Sequence, residues 1–465
     1  MCFLINHKEI MANAFSWLPL LLVLCASAQA RDWHVSPKGH DAHSGATVQQ
    51  AFRTLQKAES VVQPGDVVWL GGGTYRSEPD ADNGHNTALL KVRVSGRPDA
   101  WITWKARKGE TPELRSRQWS AIEVNGSYHI FDGITVTGQN DELVLLKAIE
   151  ASKKPGFDWL HNTNGIFIEG RNNPPDSKPH HIIVRNCTVS KMPGGGLVAI
   201  EADYVTFEDN KVFENAWYMR YGGSGITFLN NWAFDDKPGY HIIVRRNIVW
   251  NNKTMVPWER IGKLSDGNGI LLDVSDPDEP GGATNPNADA VVAKEEAPKP
   301  AAKPKRPLWK NRSLVANNLS AFNGGSGIHT FRTSHVDIIN NTTYWNGSVV
   351  GYEELFPNRS NDIVILNNVI VPRPGARVTS NNRNTGIRWD YNLYPVQQDV
   401  IRGPNDIVAD PRFINVYTDL RRADFRLAKG SAAIDSGTDE VAQPDDVTGA
   451  RRPQGKGRDR GAYER

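Results

Sequence analysis

Residues 182–210 read IIVRNCTVSKMPGGGLVAIEADYVTFEDN, two β-branched runs that each close on Asn, Ile182-Ile183-Val184-Arg185-Asn186 and Val205-Thr206-Phe207-Glu208-Asp209-Asn210. The same phrase returns at Ile242–Asn247, Leu314–Asn318, Ile338–Asn341 and Ile363–Asn368. The closing Asn residues 186, 210, 247, 318, 341 and 368 fit a unit of about 23 residues carrying insertions. Between the runs stands a second phrase, a glycine followed by an apolar strand: Gly165-Ile166, Gly196-Leu197, Gly225-Ile226, Gly269-Ile270 and Gly327-Ile328. Short strands in a unit of this length predict a β-solenoid, in which each coil buries its apolar side chains against the next. The Asn column has a structural reading: stacked amides bond down the coils, and Asn tolerates a left-handed bend between strands.

Composition agrees. The chain has 465 residues with 41 Gly, 14 Trp, 12 Tyr and 15 Phe, which suits turn-rich β structure with aromatic surfaces. Lys and Arg number 54 against 52 Asp and Glu. A balance of +2 cannot build the positive face that nucleic-acid binding needs. The apolar run Trp17–Cys25 followed by Ala28-Gln29-Ala30 reads as a secretory leader over residues 1–30, cleaved after Ala30. The expectation is therefore a secreted or periplasmic monomer with no membrane attachment after cleavage. Residues 31–465 form one solenoid domain, whose single cysteine, Cys187, rules out an internal disulfide. The Pro- and Ala-rich stretch 275–307, with its EEAPKPAAKPKRP, reads as a disordered insertion within one coil.

The N-terminal motifs Trp33–Gly39, Phe52–Ala58, Pro64–Val68 and Gly73–Tyr75 resemble the opening of secreted right-handed parallel β-helix proteins of the pectate-lyase-like superfamily. The C-terminal motifs Asp410–Phe413, Asp424–Leu427, Gly430–Gly437 and Asp459–Glu464 are similar too. The resemblance implies an all-β, right-handed parallel β-helix with a short helix capping its first coil. The layout is most similar to polysaccharide lyase family nine. That likeness implies calcium held by outward acids, a lysine base just after a Gly-apolar pair, and elimination on an acidic, uronate-containing polysaccharide. In this chain the acids lie around Asp266-Gly267-Asn268-Gly269-Ile270-Leu271-Leu272-Asp273. The base position falls on Leu271, Thr227 or His329, none of them lysine.

Strand alternation sends Ile166, Ile168, Ile270 and Leu272 inward, and Glu169, Leu271 and Asp273 outward. Glu201 and His329 are expected outward as well. If Glu169, Glu201 and Asp273 stack on one face with Asp266 above, their mutual repulsion requires cations, protonation or a hard metal such as Ca²⁺. An elimination needs a neutralised substrate carboxylate, a base and an acid. The candidate catalytic residues are Lys263, Arg220, His329 and Asp266. Arg332, Tyr221, Trp217 and Trp258 are the candidate sugar contacts, the aromatic ones by stacking. A glycoside hydrolase using paired carboxylates, or a glycan-binding β-helix without catalysis, is compatible with the same pattern.

Overall fold

In the computed structural model the described residues are 30–77, 88–275 and 306–465. The leader 1–30 lies outside them except for Ala30, and the insertion 275–307 except for Ser275, Arg306 and Pro307. The chain winds through three parallel sheets in turn. Sheet I has eleven strands, from Asp32–Val35 to Thr385–Asp390; sheet II has eight, from Ala88–Val92 to Leu355–Asn358. Sheet III has eleven, from Gly73–Arg76 to Ile407–Val408. Each strand pairs with the equivalent strand one coil away, so residues far apart in sequence become neighbours. The row Ile182–Val205–Ile242 is one such column in sheet I. Alternate residues of all three sheets meet in one interior, where Ile182, Val184, Val205, Phe207, Ile226, Ile270 and Ile328 are buried.

The Asn column is real, with its start shifted by one residue. Asn210 Nδ2 donates to Asn247 Oδ1, Asn247 to Asn318, Asn318 to Asn341, Asn341 to Asn368 and Asn368 to Asn392, at 2.9–3.0 Å. The first rung belongs to Cys187, whose backbone N–H donates to Asn210 Oδ1; Asn186 lies beside it and reaches Asp132 instead. The left-handed bend falls on the residue before each ladder amide, at Asp209, Arg246, Asn317, Asn340 and Asn367. A second ladder, Asn215–Asn252–Asn323–Asn346, runs at the next corner and ends on Glu354.

Helix α1 (Leu55–Glu59) closes the first coil. The Thr54 hydroxyl caps it by accepting from the Lys57 N–H, and Leu55 and Ala58 are buried beneath it. Helix α2 (Leu145–Ser152) rides outside the coils and packs on Tyr218 and Val256. After the last coil an antiparallel pair, Phe413–Asn415 with Asp424–Leu427, folds back over sheet III. The tail beyond it is pinned by a fully buried Arg452–Glu464 ion pair at 2.8 Å.

Candidate functional site

The outer face of sheet II forms the floor of the site. Its register places Phe167, Val198, Thr227, Leu271, His329 and Phe356 in one outward row. The row one strand position from it, on the same sheet but two residues on, is Glu169, Ile200, Leu229, Asp273, Phe331 and Asn358. Alternation thus acts as the sequence implies at Ile166, Ile168, Ile270 and Leu272, which are buried inside.

His329 is the most unusual group in the row. It is 6% exposed, and neither ring nitrogen has a hydrogen-bond partner. Its ring stacks on Phe356 at 4.5 Å and meets the edge of Tyr352 at 5.6 Å. Burial drives its pKa down to about 3, so the imidazole is neutral at neutral pH. Thr227, two rungs away in the same row, also has a buried hydroxyl oxygen without a partner. Unpaired polar atoms of this kind cost free energy in a core.

Around His329 the wall is built by neighbouring corners. Tyr352 lies 3.3 Å from the Ser265 hydroxyl, and burial pushes its phenol up to about 12. Asp266 follows Ser265 in a left-handed turn, φ 64°. Gly222 (φ +72°) leaves the room that Asp266 occupies: a Cβ there would stand 2.5 Å from the carboxylate and 3.7 Å from Trp258. Burial raises the Asp266 carboxyl to about 6, with the Ser265 hydrogen bond opposing. Phe331, its ring centroid 6.2 Å from that of His329, carries the Arg332 and the buried Arg359 guanidinium groups over its ring at 4.9 and 5.9 Å. The structure therefore brings together His329, Asp266, Arg332 and Trp258 from the sequence candidates. It adds Tyr352, Phe356 and Arg359. These three were hidden because the coil that carries them has Glu354-Leu355 where the others have Gly followed by an apolar residue.

Other candidates hold different positions. The Arg220 guanidinium lies 2.8 Å from the Glu259 carboxylate and donates to the carbonyls of Ala151, Lys154 and Gly156, fastening the end of α2 to the coil. It is a buried clasp rather than a base. Lys263 is exposed, paired through its backbone with Trp258 at the mouth. Trp217 donates from its indole to the Asn251 carbonyl and packs with α2. Tyr221 joins Trp119 at 6.1 Å in an aromatic cluster above Phe167 and Val198.

The acid column does not form. Glu169 and Asp273 share a row, but Ile200 and Leu229 separate them by three rungs, roughly 14 Å at normal strand spacing. Glu201 lies one residue beyond that row, in a left-handed bend (φ 51°). Cations of the chain neutralise both glutamates: Arg171 Nε donates to Glu169 at 2.9 Å, and Lys178 Nζ lies 2.6 Å from Glu201. Among the described residues no group of three or more His, Cys, Asp or Glu side chains is placed to hold a metal ion. Asp266, Asp273, Glu201 and Glu169 are thus not gathered, among the described residues, into a shell for Ca²⁺. Cations thus offset the charge of the two glutamates, and burial eases protonation of Asp266.

Comparison with known proteins supports the architecture. A family model described as "Pel9A-like, right handed beta helix region" matches residues 33–361. The solved structure of pectate lyase Pel9A is similar at 17% identity and a TM-score of 0.53, over 94% of this chain and 96% of that one. A structure named rhamnogalacturonan lyase is similar at 14% identity and a TM-score of 0.50, over 86% and 95%. No curated protein matches the chain. At these identities the structural likeness shows the fold. With the family model covering most of its length, the chain belongs to the Pel9A-like right-handed parallel β-helix family.

Proposed function

We propose that the floor of sheet II binds an acidic, uronate-containing polysaccharide and cleaves it by β-elimination. The observation that carries this reading is His329, a neutral imidazole with two unbonded nitrogens set in an aromatic wall of Phe356, Tyr352 and Phe331. Arg332, partly exposed beside Phe331, would neutralise the sugar carboxylate and make the adjacent proton more acidic. His329 would take that proton. Its low basicity in the empty site rises once a substrate carboxylate stands nearby. The electron pair left on carbon forms the double bond, and the bond to the 4-linked oxygen breaks. The departing oxygen takes a proton from the protonated form of Asp266, whose raised pKa keeps part of the population neutral. Trp258 and Tyr352 supply ring surfaces for the sugars.

A hydrolase would need two available carboxylates flanking one bond. Of the four carboxylates that could supply them, Glu169 and Glu201 are held by Arg171 and Lys178, which leaves Asp266 and Asp273 as the pair a hydrolase would use. The leader-like residues 1–30 support action outside the cytoplasm, secreted or periplasmic, where such polymers are met. The test is incubation with a panel of uronate polymers. An elimination gives unsaturated ends with ultraviolet absorbance. Reducing ends without that absorbance, or no product from any polymer, would overturn the reading.

A further inference from the structure

A second cavity lies at a different corner of the coils, between sheet III and the loop that joins the C-terminal antiparallel pair. It encloses about 410 Å³. Its inner wall is made by Glu214, Asn251, Phe322 and Trp345, each one residue past a strand of sheet III and each left-handed, at φ 52–58°. Equivalent corners of successive coils therefore stack into one surface, with rings presented at regular height.

The chemistry of the lining is specific. Trp250 is buried against Phe213, centroids 4.0 Å apart, so its position is rigid. Trp345 stacks on Tyr344 at 5.2 Å and keeps 39% of its surface in solvent. Arg373 is held by the carbonyls of Asn346 and Gly347, at 3.0 Å for the first; among the described residues it makes no ion pair and feels the buried Glu354 only through its charge. Lys253 makes no ion pair among the described residues either; burial lowers its pKa while the Glu214 charge opposes that. Arg421, by contrast, is satisfied by Asp419 at 2.7 Å. Two cations that make no ion pair among the described residues, beside exposed indole surface, form a place for a flat-faced ligand carrying negative charge.

We infer that this cavity is a second saccharide-binding site, which takes a carboxylated sugar of the polymer by stacking on Trp345 and pairing with Lys253 and Arg373. The inference rests on the proposed acidic substrate for its ligand class, and it assigns the cavity to holding the polymer, not to cutting it. Affinity electrophoresis of the full chain tests it, in gels cast with polygalacturonate, with alginate or with carboxyl-reduced polygalacturonate. Retardation in an acidic gel should weaken about tenfold in Trp345→Ala and in Lys253→Ala, the scale of losing one anchoring side chain. Neither variant should change the rate on short soluble oligomers. Trp345 is half-exposed, so its truncation leaves folding intact; a thermal melt confirms this for both variants.

Undiminished retardation of both variants would overturn the inference, as would an equal loss in the carboxyl-reduced gel or a native chain that no acidic gel retards. A native chain retarded through Trp345 that cuts nothing would leave this site standing and remove the lyase reading. Cleavage with retardation independent of Trp345 would do the reverse.

Discussion

At the residue scale, His329 sets function against stability. Two buried nitrogens without partners cost roughly 1–3 kcal/mol. His329→Phe removes that cost and extends the stack on Phe356, so the melting temperature should rise while cleavage is lost. His329→Gln should lower kcat by about 10²–10⁴-fold, the usual share of a proton-transfer group. A melting scan beside a rate assay reads both, and a His329→Phe variant that is active would dismiss the assigned base. Asp266 makes a separate, pH-dependent prediction. Its folded-state pKa of about 6 stands above the ordinary 3.8, so the fold favours the protonated form. This contribution is full below about pH 4 and is lost as pH rises through about 6. It amounts to about 2 kcal/mol, allowing for partial contact with solvent. Asp266→Asn keeps the neutral form throughout. The difference between wild-type and variant stability should thus change across pH 4–6 and be flat elsewhere. As the acid, Asp266 should also make the wild-type rate fall as pH rises above about 6. A rate that is flat from pH 5 to 8 would remove it from the mechanism.

At the element scale, the rungs between coils carry the fold. Asn318 accepts from the Asn247 backbone and side chain, and it donates to Asn341 and Val244. Asn318→Ala orphans buried groups on both neighbouring coils and should cost about 3 kcal/mol. Asn186→Ala, on an exposed side chain outside the ladder, loses one bond to Asp132 and the Asn tolerance of its left-handed φ of 52°, and should cost only about 1 kcal/mol. Denaturant midpoints distinguish the two, and equal losses would contradict the ladder's register. This contrast also shows what was legible. Spacing disclosed the column because every coil repeats the same corner. It missed the first rung because the backbone N–H of Cys187, which any residue could supply, makes that bond. The second ladder was within reach: Asn215, Asn252, Asn323 and Asn346 each stand five residues after an amide of the first. Strand parity in sheet II was readable from Gly-Ile phrases. The height of Glu201 was not, since it depends on where the left-handed bend falls. Helix α2 has no counterpart in the repeat, and its anchoring by Arg220 depends on carbonyl positions that residue types do not encode.

At the scale of the whole molecule, stacking forces equivalent side chains to within one strand spacing, so charge must be settled coil by coil. On the outer face of sheet II the chain settles it internally: Lys91 with Glu123, Arg171 with Glu169, and Lys178 with Glu201. Those three glutamates are thereby neutralised where they lie, and the unpaired chemistry of this face shifts along the axis to His329 and Asp266. A ligand that binds only the folded state raises its stability in proportion to occupancy, so an architectural Ca²⁺ held by these glutamates would announce itself in the melt. Chelation should move the melting temperature by less than about 1 °C, below the shift of several degrees that a contribution of even 1–2 kcal/mol produces. The pairs themselves should prove indispensable. Lys178→Met leaves Glu201 half-buried with its ammonium partner gone, and should destabilise the chain by about 3 kcal/mol. If calcium rescued that variant and not the wild type, the glutamate would be a metal ligand that Lys178 displaces. If chelation instead melted the wild type early, charge on this face would be settled by a metal, and the assignment of the site to His329 would have to be rebuilt around it.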